Sequence, residues 1–472
     1  MNRIPAWLAA SLVLGACAGG AAGTGTGAGS GAAATSDGVT GSGSSSAVIA
    51  AVDSIVQTPI REGKLIGGSV AVVRGDDTLA LRRFGYADAE LGTPTPPHAV
   101  YEIGSVTKQF TGVAIMQLVE RGKVDLDADV TTYLPNLQMK GRKVSVRQLL
   151  DHTSGIKGYT EMPAARPLFH RAVPKDSIVQ MFMAEQWDFE PGEEEIYNNS
   201  AFFLAGLVIE KASGMSYEDY LEEHLFKPAG MHDSHYCSEK KIMKGKVKGY
   251  DSDSAGPILR APISHAWPYA AGSICSSTTD LVAWNNALHR DGKLLGPEAY
   301  AEFIRPSTLA DGTTLGYSKG IAVYDRLGKK ALHHGGGING FLSENIYFPE
   351  ESLSVVVLYN TAGPASPDEA AEAIAEAVIG KAEQPAVAYD GDAAALAGTY
   401  VGNGRGRGME LDVLVDGSSV AIKGPMTRDS AVALTYRGNG TFTREYVKYT
   451  FLDGGKKLRV DAGYGNNVLT RK

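Results

Sequence analysis

Residues 101–121 have the sequence YEIGSVTKQFTGVAIMQLVER, and the rest of the chain is organised around them. From Val113 the segment is almost continuously apolar, is too long for a strand and is closed by Gly122, which predicts a buried helix. Residues three positions apart share one face of a helix. The pattern therefore places the amine of Lys108 beside the hydroxyl of Ser105 in the first turn.

The S-x-x-K spacing predicts nucleophilic chemistry. A serine attacks a carbonyl only if a neighbouring base takes its proton, and a lysine amine can be that base. An ordinary lysine has a pKa near ~10.4, so deprotonation at pH 7 costs about 4.6 kcal/mol. We expect burial, or a nearby positive group such as the helix N-terminus, to lower the pKa of Lys108.

The same spacing occurs at two other places in the chain. Gly155 interrupts any helix between Ser154 and Lys157. The third pair lies in residues 238–248, SEKKIMKGKVK, whose many lysines predict a solvated surface. Context therefore favours Ser105, with a structural serine at a helix N-terminus as the alternative.

The N-terminal residues predict export. A positive charge at Arg3 precedes an apolar run that is too short to span a bilayer, so residues 1–17 are expected to be a signal peptide. The run ends in LGAC, which resembles a bacterial lipobox with lipidation at Cys17; an ordinary signal peptide cut nearby is the alternative. Residues 18–46 are mostly Gly, Ala, Ser and Thr and predict a flexible tether. We expect a cell-envelope protein, periplasmic or at the outer membrane, anchored at Cys17.

Composition narrows the classes of partner. The chain has 472 residues, a net charge of -8 and no basic stripe, which argues against nucleic acid. The histidines are scattered and no H-E-x-x-H or C-x-x-C spacing occurs, so we expect no metal and no cofactor. The expected partner is a small-molecule or short-peptide substrate. A disulfide between Cys237 and Cys275 and two free thiols both remain open.

The secondary-structure pattern predicts an α+β body over residues 47–385. A helix near residues 47–62 and a hairpin over residues 68–87 come first, and a mostly helical insert follows the apolar helix. A second hairpin over residues 344–360 and a helix capped by Ser366 end the body. This order predicts an antiparallel sheet flanked by helices.

Residues 390–472 have a different pattern of predicted secondary structure. Short strands alternate with Asp-Gly, Gly-Asn and Gly-Gly turns, which predicts a small all-β barrel domain.

Two further clusters carry polar chemistry. Tyr197 and Asn199 precede an apolar helix, where a tyrosine can relay protons and an amide can both donate and accept; a loop tyrosine and an N-cap asparagine are the alternatives. Residues 333–341, HHGGGINGF, lack side chains at three glycines where a strand would run. These glycines would let a substrate backbone approach, or would form a flexible loop.

Together the motifs resemble the penicillin-recognising serine hydrolases, in the branch of class C β-lactamases, DD-peptidases, D-aminopeptidases and β-lactamase-fold esterases. The matches are SVTK at 105–108, YNN at 197–199 and HGG at 334–336, in the order of the family. The position of the following Gly-Phe selects His334 over His333. The resemblance covers about residues 47–380, and the C-terminal residues resemble a lipocalin-like domain.

The resemblance implies a role for each matched residue. Ser105 would be the nucleophile, and Lys108 and Tyr197 would share the roles of base and acid, in an order that the sequence leaves open. Asn199 would orient the substrate amide or Lys108.

The third motif is expected to bind substrate. The resemblance implies an oxyanion hole from the N–H groups of Ser105 and Gly337, with Gly336 in the same substrate-binding strand, and each donor contributes about 2.7–4 kcal/mol. His334 stands where many β-lactamases have lysine, and an ordinary histidine is mostly neutral at pH 7. A weak grip on carboxylates favours an esterase or peptidase that forms an acyl-enzyme. A DD-peptidase or β-lactamase, and a cell-wall binder or sensor without turnover, are the alternatives.

A rival nucleophile lies in residues 316–320, GYSKG, which fit the G-x-S-x-G elbow. That elbow needs a following helix, whereas the residues after Ser318 predict a strand. Asp151, His152 and Ser154 are not a triad by adjacency, because triad members meet from separated positions.

Overall fold

The chain forms an α+β body followed by a C-terminal, nearly closed β-sheet, and the predicted fold class is confirmed. The structure, a computed structural model, describes residues 35–36, 43–382, 387–404, 407–427, 430–444, 447–462 and 465–472.

One nine-stranded antiparallel sheet forms the centre of the body. The two predicted hairpins are adjacent in it, because the first strand of the first hairpin pairs with the second strand of the other. The order across the sheet is Thr35–Ser36, Asp77–Asp88, Gly67–Arg74, Leu353–Tyr359, Phe341–Phe348, Lys329–Ile338, Ile321–Arg326 and Tyr317–Ser318, with Thr93–Pro94 paired to Asp77–Asp88.

The central strand Leu353–Tyr359 is buried along its whole length. Val355 and Val357 point to one hydrophobic core, whereas Val356 and Leu358 point to another. Successive side chains of a strand face opposite sides of the sheet. A strand covered on both faces is therefore expected to be mostly apolar, as LSVVVLY is apart from Ser354, whose Oγ accepts a hydrogen bond from Asn285.

Two terminal helices of the body cover one face of the sheet. Helix Gly43–Arg61 begins before the expected residue 47, and it packs on helix Pro367–Ile379. The Oγ of Ser366 accepts the N–H of Glu369 at 3.2 Å, as the capping pattern predicted.

The insert covers the other face. Its helices are Thr107–Glu120, Val146–Leu150, Lys175–Ala184, Asn199–Ser213, Tyr217–Leu221, Lys227–Ala229, Thr278–Asn285 and Pro297–Phe303. Two three-stranded sheets accompany them: Tyr101–Glu102 with Ile274–Ser276 and His235–Tyr236, and Thr361–Ala362 with Tyr250–Asp253 and Gly256–Leu259.

The C-terminal sheet curls around its own core, which includes Tyr400, Tyr449 and Leu469. Its two edge strands are neighbours in sequence, separated by Leu434 alone, so the edges lie close to each other. The strands in order are Val432–Ala433, Ser419–Lys423, Arg407–Asp416, Gly398–Gly404, Gly465–Arg471, Lys457–Asp461, Val447–Leu452, Thr441–Arg444 and Thr435–Gly438. A tenth strand, Glu195–Ile196, comes from the body and pairs with Gly465–Arg471.

Among the described residues, no helix is both long and apolar enough to cross a membrane. Cys17 and the signal peptide lie outside those residues, as does most of the predicted tether. The lipid anchor and the envelope location therefore stay predictions.

Candidate active site

Ser105 lies in a 3-10 turn, Gly104–Val106, immediately before helix Thr107–Glu120. The sequence placed it inside the first helical turn. The difference has a local cause: Gly104 has a φ of +51°, a backbone conformation that favours glycine. A Cβ at Gly104 would also lie 2.9 Å from the backbone of Gly337, so glycine lets the third motif approach the nucleophile turn closely.

Lys108 is fully buried, and its amine contacts Ser105. Its Nζ lies 3.2 Å from the Oγ of Ser105, 2.7 Å from the Oδ1 of Asn199 and 2.8 Å from the carbonyl oxygen of Ala271. The centre of the Tyr197 ring lies 4.6 Å from the same nitrogen. The structure thus brings together Ser105, Lys108, Tyr197 and Asn199, as the resemblance implied.

The side chain of Asn198, and not that of Asn199, caps the helix Asn199–Ser213. The Oδ1 of Asn198 accepts the N–H of Ala201 at 2.9 Å. This leaves the Asn199 amide to contact Lys108, so the alternative of Asn199 as a simple N-cap is wrong.

His152 fastens the backbone on both sides of Tyr197. Its Nδ1 accepts the N–H of Asn198 at 3.1 Å, and its carbonyl oxygen accepts the N–H of Ile196 at 3.1 Å. The two ring centres of His152 and Tyr197 are 4.4 Å apart. No sequence pattern marks His152 as a functional residue; its φ of +61°, uncommon for a residue with a side chain, is visible only in the structure.

His334 lies in strand Lys329–Ile338 and is fully buried. Its Nδ1 donates to the carbonyl oxygen of Gly335 at 2.6 Å, so its Nε2 accepts the hydroxyl of Tyr317 at 2.9 Å. Burial, together with the charge of Lys108, lowers the pKa of His334 to about 3. The ring is therefore neutral at physiological pH. The sequence predicted a mostly neutral ring from the ordinary histidine pKa, and burial makes the effect stronger.

One glycine of the third motif, Gly336, serves the packing of the protein itself. A Cβ at Gly336 would lie 2.0 Å from the carbonyl oxygen of Ile103 and 2.3 Å from the Oγ of Ser343. Gly336 thus permits contact between two protein segments, where we had expected contact with a substrate. Gly337 is exposed beside the nucleophile turn.

The C-terminal sheet reaches the site through strand Glu195–Ile196, which leads directly into Tyr197. Asn466 lies opposite Glu195 on one side and opposite Asp461 on the other. Glu195 is fully buried, and this burial, with the nearby carboxylates of Asp461 and Asp151, raises its pKa well above the usual range. The Asp461 carboxylate also accepts the hydroxyl of Tyr324, a residue of the body, at 2.9 Å.

The other serines have structural partners. Ser318 is fully buried, and its hydroxyl lies within hydrogen-bond distance of the carbonyl oxygens of Phe303 and Arg305. It ends strand Tyr317–Ser318, and the next element is strand Ile321–Arg326 rather than a helix, so Ser318 is not on an elbow. Lys157 pairs with Asp188 at 2.6 Å rather than with Ser154. The Oγ of Ser238 accepts the backbone N–H groups of Lys240 and Lys241.

Cys237 and Cys275 form a disulfide, which settles the alternative left open by the sequence. The bond joins Cys237, just after strand His235–Tyr236, to Cys275, the middle residue of strand Ile274–Ser276. The second strand pairs with Tyr101–Glu102, just before the nucleophile turn.

One buried cluster was not visible as a sequence motif. Potential ligand atoms of His333, Glu344 and Asp368 lie within 4.8 Å of one another. The Nη1 of Arg326 lies 2.9 Å from carboxylate oxygens of Asp368 and Glu372, so the guanidinium group already supplies a positive charge beside this cluster. Burial lowers the pKa of His333 and raises that of Glu344, which favours a neutral hydrogen-bonded pair at their 3.1 Å contact.

Comparison with known proteins places this geometry in a family. A model of the Beta-lactamase family matches residues 52–379. Protein flp of Staphylococcus aureus (strain MW2) is 25% identical over 319 residues, covering 66% of this chain and 62% of flp. This chain therefore spans less than two thirds of the length of that relative.

Two solved structures are similar over nearly their whole length. The octameric penicillin-binding protein homologue from Pyrococcus abyssi has a TM-score of 0.62 and 25% identity, and the match covers 89% of this chain and 99% of that one. A D-stereospecific amidohydrolase from Streptomyces sp. has a TM-score of 0.61 and 26% identity, with coverage of 71% and 99%.

Proposed function

This chain belongs to the Beta-lactamase family of serine hydrolases, and we propose that it hydrolyses an ester or amide through an acyl-enzyme on Ser105. The observation that carries the proposal is the contact of the buried Lys108 amine with the Ser105 hydroxyl at 3.2 Å. A nucleophilic serine requires this pairing with a base.

The surroundings of Lys108 suit a base. In a neutral amine, two N–H groups donate to Asn199 and to the carbonyl of Ala271, and the lone pair then faces the Ser105 hydroxyl. After proton transfer, all three N–H groups of the ammonium have acceptors. We therefore assign the first proton to Lys108, and the tyrosine hydroxyl of Tyr197 would pass a proton to the leaving group.

The reaction then has two steps. The Oγ of Ser105 forms a bond to the carbonyl carbon, its proton moves to Lys108, and the oxyanion binds the N–H groups of Ser105 and Gly337. The leaving amine or alcohol departs with a proton, and water then releases the acyl group from Ser105. The close approach of Gly104 to Gly337 supports this location for the oxyanion.

The neutral His334 directs the choice of substrate. A buried ring that is already bound to Tyr317 offers no positive charge to a carboxylate. We therefore propose esters or amides without an obligatory carboxylate beside the reacting carbonyl. The similarity to a D-stereospecific amidohydrolase supports D-aminoacyl amides as the amide class to test first.

The test is turnover by the purified full-length chain. We expect hydrolysis of p-nitrophenyl acetate or a D-aminoacyl amide, abolished in Ser105→Ala, with benzylpenicillin turned over more slowly or not at all. A stable penicillin adduct on Ser105 without other turnover would favour the alternative of a DD-peptidase or sensor, which the similarity to a penicillin-binding protein homologue supports. No turnover and no adduct would contradict the proposal.

We also propose that the protein is an exported lipoprotein of the bacterial envelope. The apolar N-terminal run that ends in LGAC supports this location. Metabolic labelling with radioactive palmitate in a bacterial host should mark the wild-type chain and not Cys17→Ala; labelling of neither would leave an ordinary signal peptide as the better interpretation.

A further inference from the structure

We propose that Glu161, acting through Thr160, is a positioning residue that keeps the oxygen of the Asn199 amide facing Lys108. The inference rests on the proposed function of Ser105 and Lys108. It goes beyond that function because Thr160 and Glu161 lie outside the three sequence motifs.

A chain of hydrogen bonds joins Glu161 to the amine of Lys108. The Nζ of Lys108 donates to the Oδ1 of Asn199 at 2.7 Å, and the Nδ2 of Asn199 donates to the Oγ1 of Thr160 at 3.1 Å. The Thr160 hydroxyl in turn donates to the Oε2 of Glu161 at 2.9 Å.

The chemistry of the two ends sets the direction of every bond between them. An ionised carboxylate only accepts hydrogen bonds, and an ammonium group only donates them. Thr160 has one hydroxyl hydrogen, so giving it to Glu161 leaves its oxygen as an acceptor for an N–H group. The NH₂ of Asn199 must supply that group, and the amide oxygen therefore faces Lys108.

The local fold holds this chain in place. Residues Tyr159–Glu161 form a 3-10 turn, and the N–H of Tyr159 donates to the Oγ of Ser200 at 2.9 Å, next to Asn199. A Cβ at Gly158 would lie 2.1 Å from the Oε2 of Glu161, so the carboxylate folds back directly against the Gly158 backbone. The turn is thus fastened to the helix that carries Asn199.

The orientation of the amide matters most when Lys108 becomes positive. As Lys108 takes the proton of Ser105, a fixed amide oxygen stabilises the new charge without reorganisation. A reversed amide would present its NH₂ group to the ammonium. Hydrogen bonds to charged groups are stronger than those between neutral groups. We therefore expect loss of the hydrogen-bond chain to slow attack by Ser105 about tenfold to a hundredfold.

Other charged and titratable groups lie near the two ends. Tyr197 and His334 are close to Lys108, and the pKa of His334 lies near 3, below the range to be measured. Near Glu161 are Tyr159, Arg166, and Asp188 with its partner Lys157. The effect of the hydrogen-bond chain on a pH profile is therefore isolated by substituting its own members, Thr160 and Glu161.

The experiment measures the rate at which a fluorophosphonate, a reagent for nucleophilic serines, labels Ser105 in the full-length protein. Intact mass gives the rate constant between pH 5 and 10, and Ser105→Ala is the blank. We expect Thr160→Val to label about tenfold to a hundredfold more slowly, and Thr160→Ser to label at the wild-type rate. Thr441→Val, which removes a hydroxyl bonded to Thr450 in the C-terminal sheet, should have no effect.

Glu161→Gln separates the carboxylate from the hydroxyl. Loss of the negative charge should slow labelling and move the midpoint of the pH profile on the order of half a unit toward lower pH. An unchanged rate in Thr160→Val, or an equal loss in Thr160→Ser, would overturn the chain as a positioning device. An unshifted profile in Glu161→Gln would remove Glu161 from it.

These outcomes are distinct from failure of the proposed function. Normal labelling without turnover of any ester or amide would contradict the proposed hydrolysis, while the variants would still test the hydrogen-bond chain. No labelling of Ser105 in the wild-type protein would overturn both.

Discussion

The two sides of the candidate site are supported in different ways. Ser105 lies in the turn just before a helix that is buried from Thr107 to Leu118 in the core of the body, and Lys108 lies in the first turn of that helix. Tyr197 follows a strand of only two residues, Glu195–Ile196, which is paired with the last strand of the C-terminal sheet. The nucleophile side is therefore held by the core of the body, and the tyrosine side also by a strand that is far away in sequence.

This difference indicates how sensitive the position of each side is to a substitution. A long buried helix has many apolar contacts, so one change leaves its position nearly intact. A two-residue strand has few backbone contacts: the N–H of Ile196 donates to the carbonyl oxygen of His152 within the body, and the strand pairs with the C-terminal strand at Asn466. We therefore expect catalysis, rather than folding, to respond when the C-terminal sheet is altered.

The largest effect is expected on the nucleophile side. Lys108→Met removes the base while keeping an apolar side chain in the core, so labelling of Ser105 should fall on the order of 10³-fold. Lys319→Met is the matched control, because Lys319 is also buried but contacts Ser318 and Glu302. The control should lose stability and keep its labelling rate; equal losses in both variants would contradict a specific role for Lys108.

The next effect tests the tyrosine side. Asn466→Ala removes a buried side chain from the strand that pairs with Glu195–Ile196, so kcat for an ester substrate should fall about tenfold with KM nearly unchanged. Asn467→Ala changes the neighbouring residue, whose side chain faces the other side of the same strand, and should have little effect.

A double-mutant cycle sharpens this prediction. If Asn466 acts by positioning Tyr197, its substitution should cost much less in a Tyr197→Phe background. Full additivity of the two losses would show that the C-terminal strand acts by another route.

A smaller effect is expected on selectivity. His334→Lys places an ammonium where the neutral ring lies, so the ratio of kcat/KM for a carboxylate-bearing ester to that for a neutral ester should rise about fivefold. His334→Gln keeps the position neutral and serves as the control. An unchanged ratio in His334→Lys would remove the argument that this position sets the preference for neutral substrates.

The smallest effect on catalysis, and a distinct effect on stability, is expected from Glu195→Gln. Burial raises the pKa of Glu195 in the folded state above the unfolded value of 4.5, so the folded state binds the extra proton. Glu195 should therefore contribute a loss of about 1.4 kcal/mol of stability per pH unit above 4.5, until its folded pKa is reached. Glu195→Gln should remove that contribution to the slope.

The measurement is the free energy of unfolding by urea between pH 5 and 8. Glu193→Gln, at an exposed residue of the same segment, is the control and should keep the wild-type slope. Parallel curves for Glu195→Gln and the wild type would contradict a protonated Glu195.

Features that depend on neighbouring residues could be predicted from the sequence. The helix after Ser105, both hairpins of the body and the cap at Ser366 follow from periodicity and turn residues, and the structure contains them. Lys108 and Asn199 are 91 positions apart, so no local pattern could predict their contact; only the resemblance to the family implied it. No local sequence pattern predicts the contacts of His152 or the hydrogen-bond chain through Thr160.

The sequence by itself determined the antiparallel α+β layout, the S-x-x-K pair and the neutral character expected at His334, because each depends on residues close together in the chain. Tertiary structure alone decided that Asn198 caps the helix, that Cys237 bonds to Cys275, and that the C-terminal strand supports Tyr197. These contacts join segments whose distance in space is set by the packing of two sheets and an insert. Spacing along the chain carries no information about that distance.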